Sequence, residues 1–167
     1  RPVVDEERLP DLGARVDVDP RPRVRLLGDH PRQQGHARAV QLVRDAVRDL
    51  EVERIGHGVR AIEDLALVDE LAEKGIVLEV CPGSNLALGL YKGWRAHPIH
   101  ALRERGVKVT ISTDDPPFFH TTMRKEYERL AGAFDWDEGV FTAIARTSLG
   151  AAFCDDATRE RVQKRLE

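Results

Sequence analysis

The feature that most constrains this chain is a threefold pairing of a short apolar run with a polar cluster at its end. Arg54-Ile55 leads into Gly56-His57-Gly58. Ile76-Val77-Leu78-Glu79-Val80 leads into Cys81-Pro82-Gly83-Ser84-Asn85, and Val107-Lys108-Val109-Thr110-Ile111 into Ser112-Thr113-Asp114-Asp115-Pro116. Apolar, β-branched runs closed by Gly, Pro and Asp read as strands. Between them, Leu67, Val68, Leu71 and Ala72 recur at helical spacing before Gly75, a left-handed stop. His97-Pro98 opens a second intervening helix, Ile99 to Arg105, stopped by Gly106. Strand starts about 20 to 30 residues apart suit βαβ units, whose parallel strands need helical crossovers. The expected fold class is therefore α/β.

Flanking segments extend the pattern. Val40, Val43, Val47 and Leu50 predict an amphipathic helix ahead of the first strand, and helices over roughly 122–134, 137–149 and 156–166 complete the chain. A closed (β/α)8 barrel needs eight strands and about 250 residues. The chain has 167 residues, so it reads as three or four units of such a barrel. An open doubly wound sheet is the alternative, although its G-x-G-x-x-G first turn is absent.

Residues 1–42 differ in character. They hold no aromatic residue, Lys, Ser or Thr, and prolines fall at 2, 10, 20, 22 and 31. With so little to bury, 1–42 is expected to be a poorly ordered or atypical arm, and 43–167 the folded part. The formal net charge of −3 gives no footprint for nucleic acid or an anionic membrane. Neither a spanning run of about 18 apolar residues nor a signal-peptide pattern occurs. Cys81 and Cys154 make no disulfide framework, which favours a cytoplasmic setting.

In parallel α/β sheets, ligands meet the loops at the carboxyl ends of the strands. His57 reads there as a base or electrostatic group facing the mouth, or as a loop histidine bonded to backbone. Asp114 and Asp115 read as a metal-binding and substrate-binding pair, or as turn and helix-entry residues, since two nearby carboxylates repel unless a cation lies between them. Cys81 reads as a buried core residue, and Ser84 and Asn85 as loop-positioning or capping groups. His97 and His100 read as structural or exposed, and Trp94 and Trp136 as packing residues.

Taken in order and spacing, Arg54-Ile55-Gly56-His57-Gly58, Cys81-Pro82-Gly83-Ser84-Asn85 and Ser112-Thr113-Asp114-Asp115-Pro116 resemble the C-terminal portion of the adenosine/adenine deaminase family, from about Val43 to the end. Ile62-Glu63-Asp64, His97-Pro98 and Asp115-Pro116-Pro117-Phe118-Phe119 strengthen the likeness. The resemblance implies the last three β/α units of a TIM barrel, plus C-terminal helices. It implies a Zn2+ cofactor with Asp114 as a metal ligand, His57 as the catalytic histidine beside the metal-bound water, and Asp115 as the residue that hydrogen-bonds the purine. The expected reaction is hydrolytic deamination of adenosine, with adenine or a modified adenosine as alternative substrates and an inactive fragment as the alternative outcome. The expected partner is a purine nucleoside or base, with no nucleic acid and no membrane. The family's His-x-His and His-Ala-Gly-Glu motifs do not occur in the sequence, so this chain alone is expected to bind zinc poorly and not to deaminate.

Overall fold

The computed structural model describes the backbone of residues 31–166 and the side chains from residue 37 to 166. Its elements are α1 (Pro31–Asp49), β1 (Arg54–Gly56), α2 (Leu65–Lys74), β2 (Val77–Val80), α3 (Pro82–Ala87), α4 (Ile99–Glu104), β3 (Lys108–Ile111), α5 (Pro116–Phe119), α6 (Met123–Phe134), α7 (Glu138–Ala151) and α8 (Asp156–Gln163). The strands form one three-stranded sheet in the order β1-β2-β3. Both pairings are parallel, with Arg54 opposite Val77 and Val77 opposite Lys108. This is the α/β arrangement expected from the alternation.

The helices that feed β2 and β3 end by the same device. Gly75 and Gly106 take left-handed φ values of 67° and 84°. Their N–H groups return to Ala72 and Arg103, and the next residues, Ile76 and Val107, bond back to Leu71 and Leu102. This pattern satisfies the last helical carbonyls and turns the chain straight into the next strand. At the other end of α2, Asp64 accepts from the Ala66 and Leu67 N–H groups and also pairs with Arg44 on α1.

Strand alternation divides the sheet into two unlike faces. Leu78 and Val80 of β2, with Val109 and Ile111 of β3, join the core with Leu67, Val68 and Leu71 of α2 and Ile99 and Leu102 of α4. Val43 and Val47 of α1, Leu130 of α6, Ile144 of α7 and Trp136 complete it. Each fully buried Leu contributes roughly 1.5–3 kcal/mol relative to exposure. The opposite face carries Arg54 and Glu79, which pair at 3.1 Å. Arg54 also donates to the Ala151 carbonyl and lies 3.7 Å over the Phe153 ring.

Several expectations change at this level. The expected arm is only partly within view, since residues 1–30 lie outside those described. The boundary expected between 42 and 43 falls inside α1, which starts at Pro31. Proline is tolerated there because the first helical N–H has no intrahelical partner. Leu50, read as part of that helix's apolar face, lies past its end and is 72% exposed. The segment after β2, read as a strand end turning into a loop, is the helix α3. Among the described residues, no helix is long and apolar enough to cross a membrane.

Candidate functional site

The segments that follow the carboxyl ends of the three strands bring the side chains of His57 and Ser84 to that of Asp114. His57 follows β1 and donates its backbone N–H to Glu79 O at 2.9 Å, which extends the sheet by one bond. Its φ is +60°, and Asp114, beyond β3, has φ +61°. Left-handed backbone is costly for residues other than glycine, and strain of this kind clusters at functional sites. Here it frees both side chains from the alternation of their strands. His57 Nε2 and Asp114 Oδ2 come within 3.9 Å, both partly open to solvent.

The third group comes from α3. Its capping position is Cys81, which gives no side-chain cap, and Pro82 at its first position has no N–H to satisfy. Three successive residues then tie α3 to three other segments. The Gly83 N–H donates to Glu126 Oε2 of α6 at 2.8 Å. Ser84 Oγ donates to Asp114 Oδ2 at 2.7 Å. Asn85 Oδ1 lies 3.1 Å from His97 Nε2 ahead of α4. Since His97 Nδ1 accepts the Ile99 N–H, its Nε2 carries the proton and donates to Asn85. Burial holds the His97 imidazole down at about 4, so the ring is neutral and structural.

Asp115 stands apart from this convergence. It lies next to Asp114 in the chain, is exposed, and accepts the Phe118 N–H at 3.3 Å as the cap of α5. The oxygen engaged there is Oδ1. His100 Nδ1 accepts from the buried Trp136 indole at 3.2 Å and is structural, as read from sequence.

Metal-binding capacity follows from the donor set. The ligand atoms of His57, Cys81 and Asp114 lie within 4.8 Å of one another. Catalytic zinc ordinarily takes three protein ligands, with cysteine bound as thiolate. Without a metal, burial and then the nearby Asp114 charge push the Cys81 thiol up to about 12. Zinc would bind it only as a thiolate, by displacing that proton. The carboxylate of Asp114 and the imidazole of His57 are the donors beside it.

Sequence reasoning missed Glu126. It is fully buried and accepts from both the Gly83 N–H and the Thr121 hydroxyl. In sequence it looks like an ordinary acidic residue of a helix first turn. The available signal was Gly83, whose added Cβ would collide with Glu126 Oε1.

Comparison with known proteins agrees with this geometry. The family model described as adenosine deaminase matches residues 31–167. An adenine deaminase of Rhizobium johnstonii is 52% identical over 124 residues, covering 74% of this chain and 38% of the relative. The crystal structure of adenine deaminase from Arthrobacter aurescens superposes with a TM-score of 0.72 at 28% identity, over 76% of this chain and 39% of that one. A cog1816 amidohydrolase from Burkholderia ambifaria, solved with bound Zn, shares the fold with a TM-score of 0.63 at 23% identity, over 76% of this chain and 36% of that one. The chain thus spans about 38% of the length of the curated relatives it matches. A match that runs through the whole described region, joined to strand ends that meet at one mouth, places this chain in the adenosine deaminase family.

Proposed function

We propose that this chain supplies three strand ends of the active site of a hydrolytic purine deaminase, with adenine as substrate. The observation that carries the reading is the meeting of His57, Ser84 and Asp114 from the ends of three neighbouring strands. In the reaction, water adds to the ring carbon bearing the exocyclic amine and ammonia leaves, so adenine and water give hypoxanthine and ammonia. His57 is placed to take or hold a proton of that water beside Asp114. The Ser84 hydroxyl fixes Asp114 through Oδ2, the oxygen that also lies 3.9 Å from His57 Nε2. Asp115, with one oxygen on the α5 cap, accepts an N–H from the purine ring.

The substrate shifts from the adenosine expected at first. Relatives at 52% and 53% identity are adenine deaminases, which supports the free base. The three parallel units fit the last part of a (β/α)8 barrel, whose concave lining would include Arg54 and Glu79. Zn2+ is the metal the resemblance implies, with Asp114 as one ligand and the others outside the described residues. The test is a substrate panel. The segment of this chain that matches the Rhizobium johnstonii enzyme replaces its counterpart there, and ammonia release is followed on adenine and adenosine. Turnover of adenine in preference to adenosine supports the reading. A folded, metal-loaded chimera that releases ammonia from neither sinks it.

A further inference from the structure

Glu126 is a fully buried carboxylate that the proposed chemistry leaves unused. It lies in the first turn of α6 and accepts from the Gly83 N–H, 43 residues away in sequence. The Thr121 hydroxyl donates to its other oxygen. Gly83 sits in the first turn of α3, where Cys81 provides no cap and Pro82 no donor. An N–H at that position is left without a partner inside its own helix. Glu126 therefore acts as a cap lent to α3 by another helix. The approach is so close that a side chain at position 83 would occupy the place of Glu126 Oε1.

The next residue along α3 is Ser84, fully buried, whose hydroxyl donates to Asp114 Oδ2 at 2.7 Å. Shifting α3 by a few tenths of an ångström would lengthen this bond. The Asn85–His97 bond ties α3 to the segment ahead of α4 and makes no contact with α6. We propose that Glu126 is a positioning residue for Asp114. By fixing the first turn of α3 through Gly83, it sets the Ser84 hydroxyl against the Asp114 carboxylate. The proposal deepens the purine-deaminase reading and rests on it for the use made of Asp114.

The test reads the Ser84–Asp114 bond directly, by NMR of the Ser84 hydroxyl proton and the Asp114 backbone amide in the chain as given. A hydroxyl on a fully buried serine, bonded to a carboxylate, exchanges slowly enough with water to be seen. In Glu126→Ala its exchange should quicken about tenfold, the effect of losing about one hydrogen bond. The Asp114 amide should shift while those of Leu71 and Val109 stay in place. Glu126→Gln should restore the slow hydroxyl, because an amide oxygen can still accept from Gly83 and its NH2 can donate to the Thr121 oxygen. A folded Glu126→Ala with an unchanged Ser84 hydroxyl would overturn the proposal, as would a Gln variant no better than Ala. Thr121→Val decides the matter should the Ala variant not fold. It frees one carboxylate oxygen and should quicken Ser84 exchange several-fold, whereas no change there also overturns the proposal. The readout needs no turnover, so failure to deaminate adenine counts against the functional reading alone.

Discussion

His57 and Asp114 lie at the ends of β1 and β3, the two outer strands of the sheet, yet their side chains come within 3.9 Å across the end of β2. Both reach that meeting point from a left-handed backbone. Glu51, His120 and Asp135 share that backbone elsewhere in the chain, so it is the meeting of the two side chains that singles this pair out. Asn is the residue best suited to replace Asp114 without disturbing the fold, since it also tolerates left-handed φ and can accept the Ser84 hydroxyl. Asp114→Asn is therefore expected to leave the unfolding free energy within about 0.5 kcal/mol of the parent. In the chimera with the Rhizobium johnstonii enzyme, the same substitution should lower adenine deamination at least about a hundredfold. Urea denaturation of this chain and ammonia release by the chimera check the two halves.

Asp115 should divide binding from turnover. If its carboxylate holds the purine, Asp115→Ala in the chimera raises KM for adenine about tenfold or more, with a smaller change in kcat. Its cap on α5 is a single 3.3 Å bond at an exposed site, so stability should fall by no more than about 1 kcal/mol. Steady-state kinetics over a range of adenine concentrations separates the two effects. An unchanged KM would remove Asp115 from the binding site.

Gly83→Ala tests the close approach of α3 to α6. The added methyl group meets the Glu126 carboxylate, which is buried and has no room to withdraw. The expected cost is about 1–3 kcal/mol, the usual range for overpacking, read as a lowered urea midpoint. Ala is otherwise a better helix former than Gly, so an unchanged or raised midpoint would mean that the contact is looser than described.

His97 gives stability a defined pH dependence. Its imidazole drops from 6.5 to about 4 on folding because burial penalises the charged form. A lowered histidine means that the unfolded chain binds a proton which the folded chain refuses, so stability rises with pH where the two differ. The contribution is fully present above about 6.5 and is lost as pH falls toward about 4. The loss is on the order of 3 kcal/mol. The groups packed around the ring are the Asn85 side chain and the Tyr91 ring edge, neither of them charged in this range. Denaturation at pH 7 and pH 4.5 should show the slope in the parent and a reduced slope in His97→Gln.

The regular parts of the fold were legible because each is encoded locally. Gly75 and Gly106 announce the ends of α2 and α4, and the apolar runs after them become β2 and β3. The approach of His57 to Asp114 was legible too, since it follows from parallel strands that share one carboxyl end. What escaped depends on partners distant in sequence. Pro82-Gly83 looks like a chain reversal until Glu126 is known to stand against it, and then it is the start of α3. The start of α1 escaped for the opposite reason, because Pro31 resembles a breaker and is instead a permitted first residue.

Zinc binding separates the capacity of this chain from that of the longer relatives. Of the three clustered donors, Cys81 binds zinc only after losing a proton, and in the metal-free chain burial pushes its thiol up to about 12. A calorimetric zinc titration of the chain as given should show binding weaker than about 10 μM, against the far tighter sites built from three or more ligands. Tight, stoichiometric uptake that survives Asp114→Asn would place the metal elsewhere.

The most direct measurement is hypoxanthine formed from adenine by the chimera that carries this chain's matched segment, with Asp114 intact and with Asp114→Asn. Hypoxanthine and ammonia in equal amounts from the first, and neither from the second, is the result this account predicts. Equal turnover by both would contradict it, because the carboxylate on which the three strand ends converge would then have no part in the reaction.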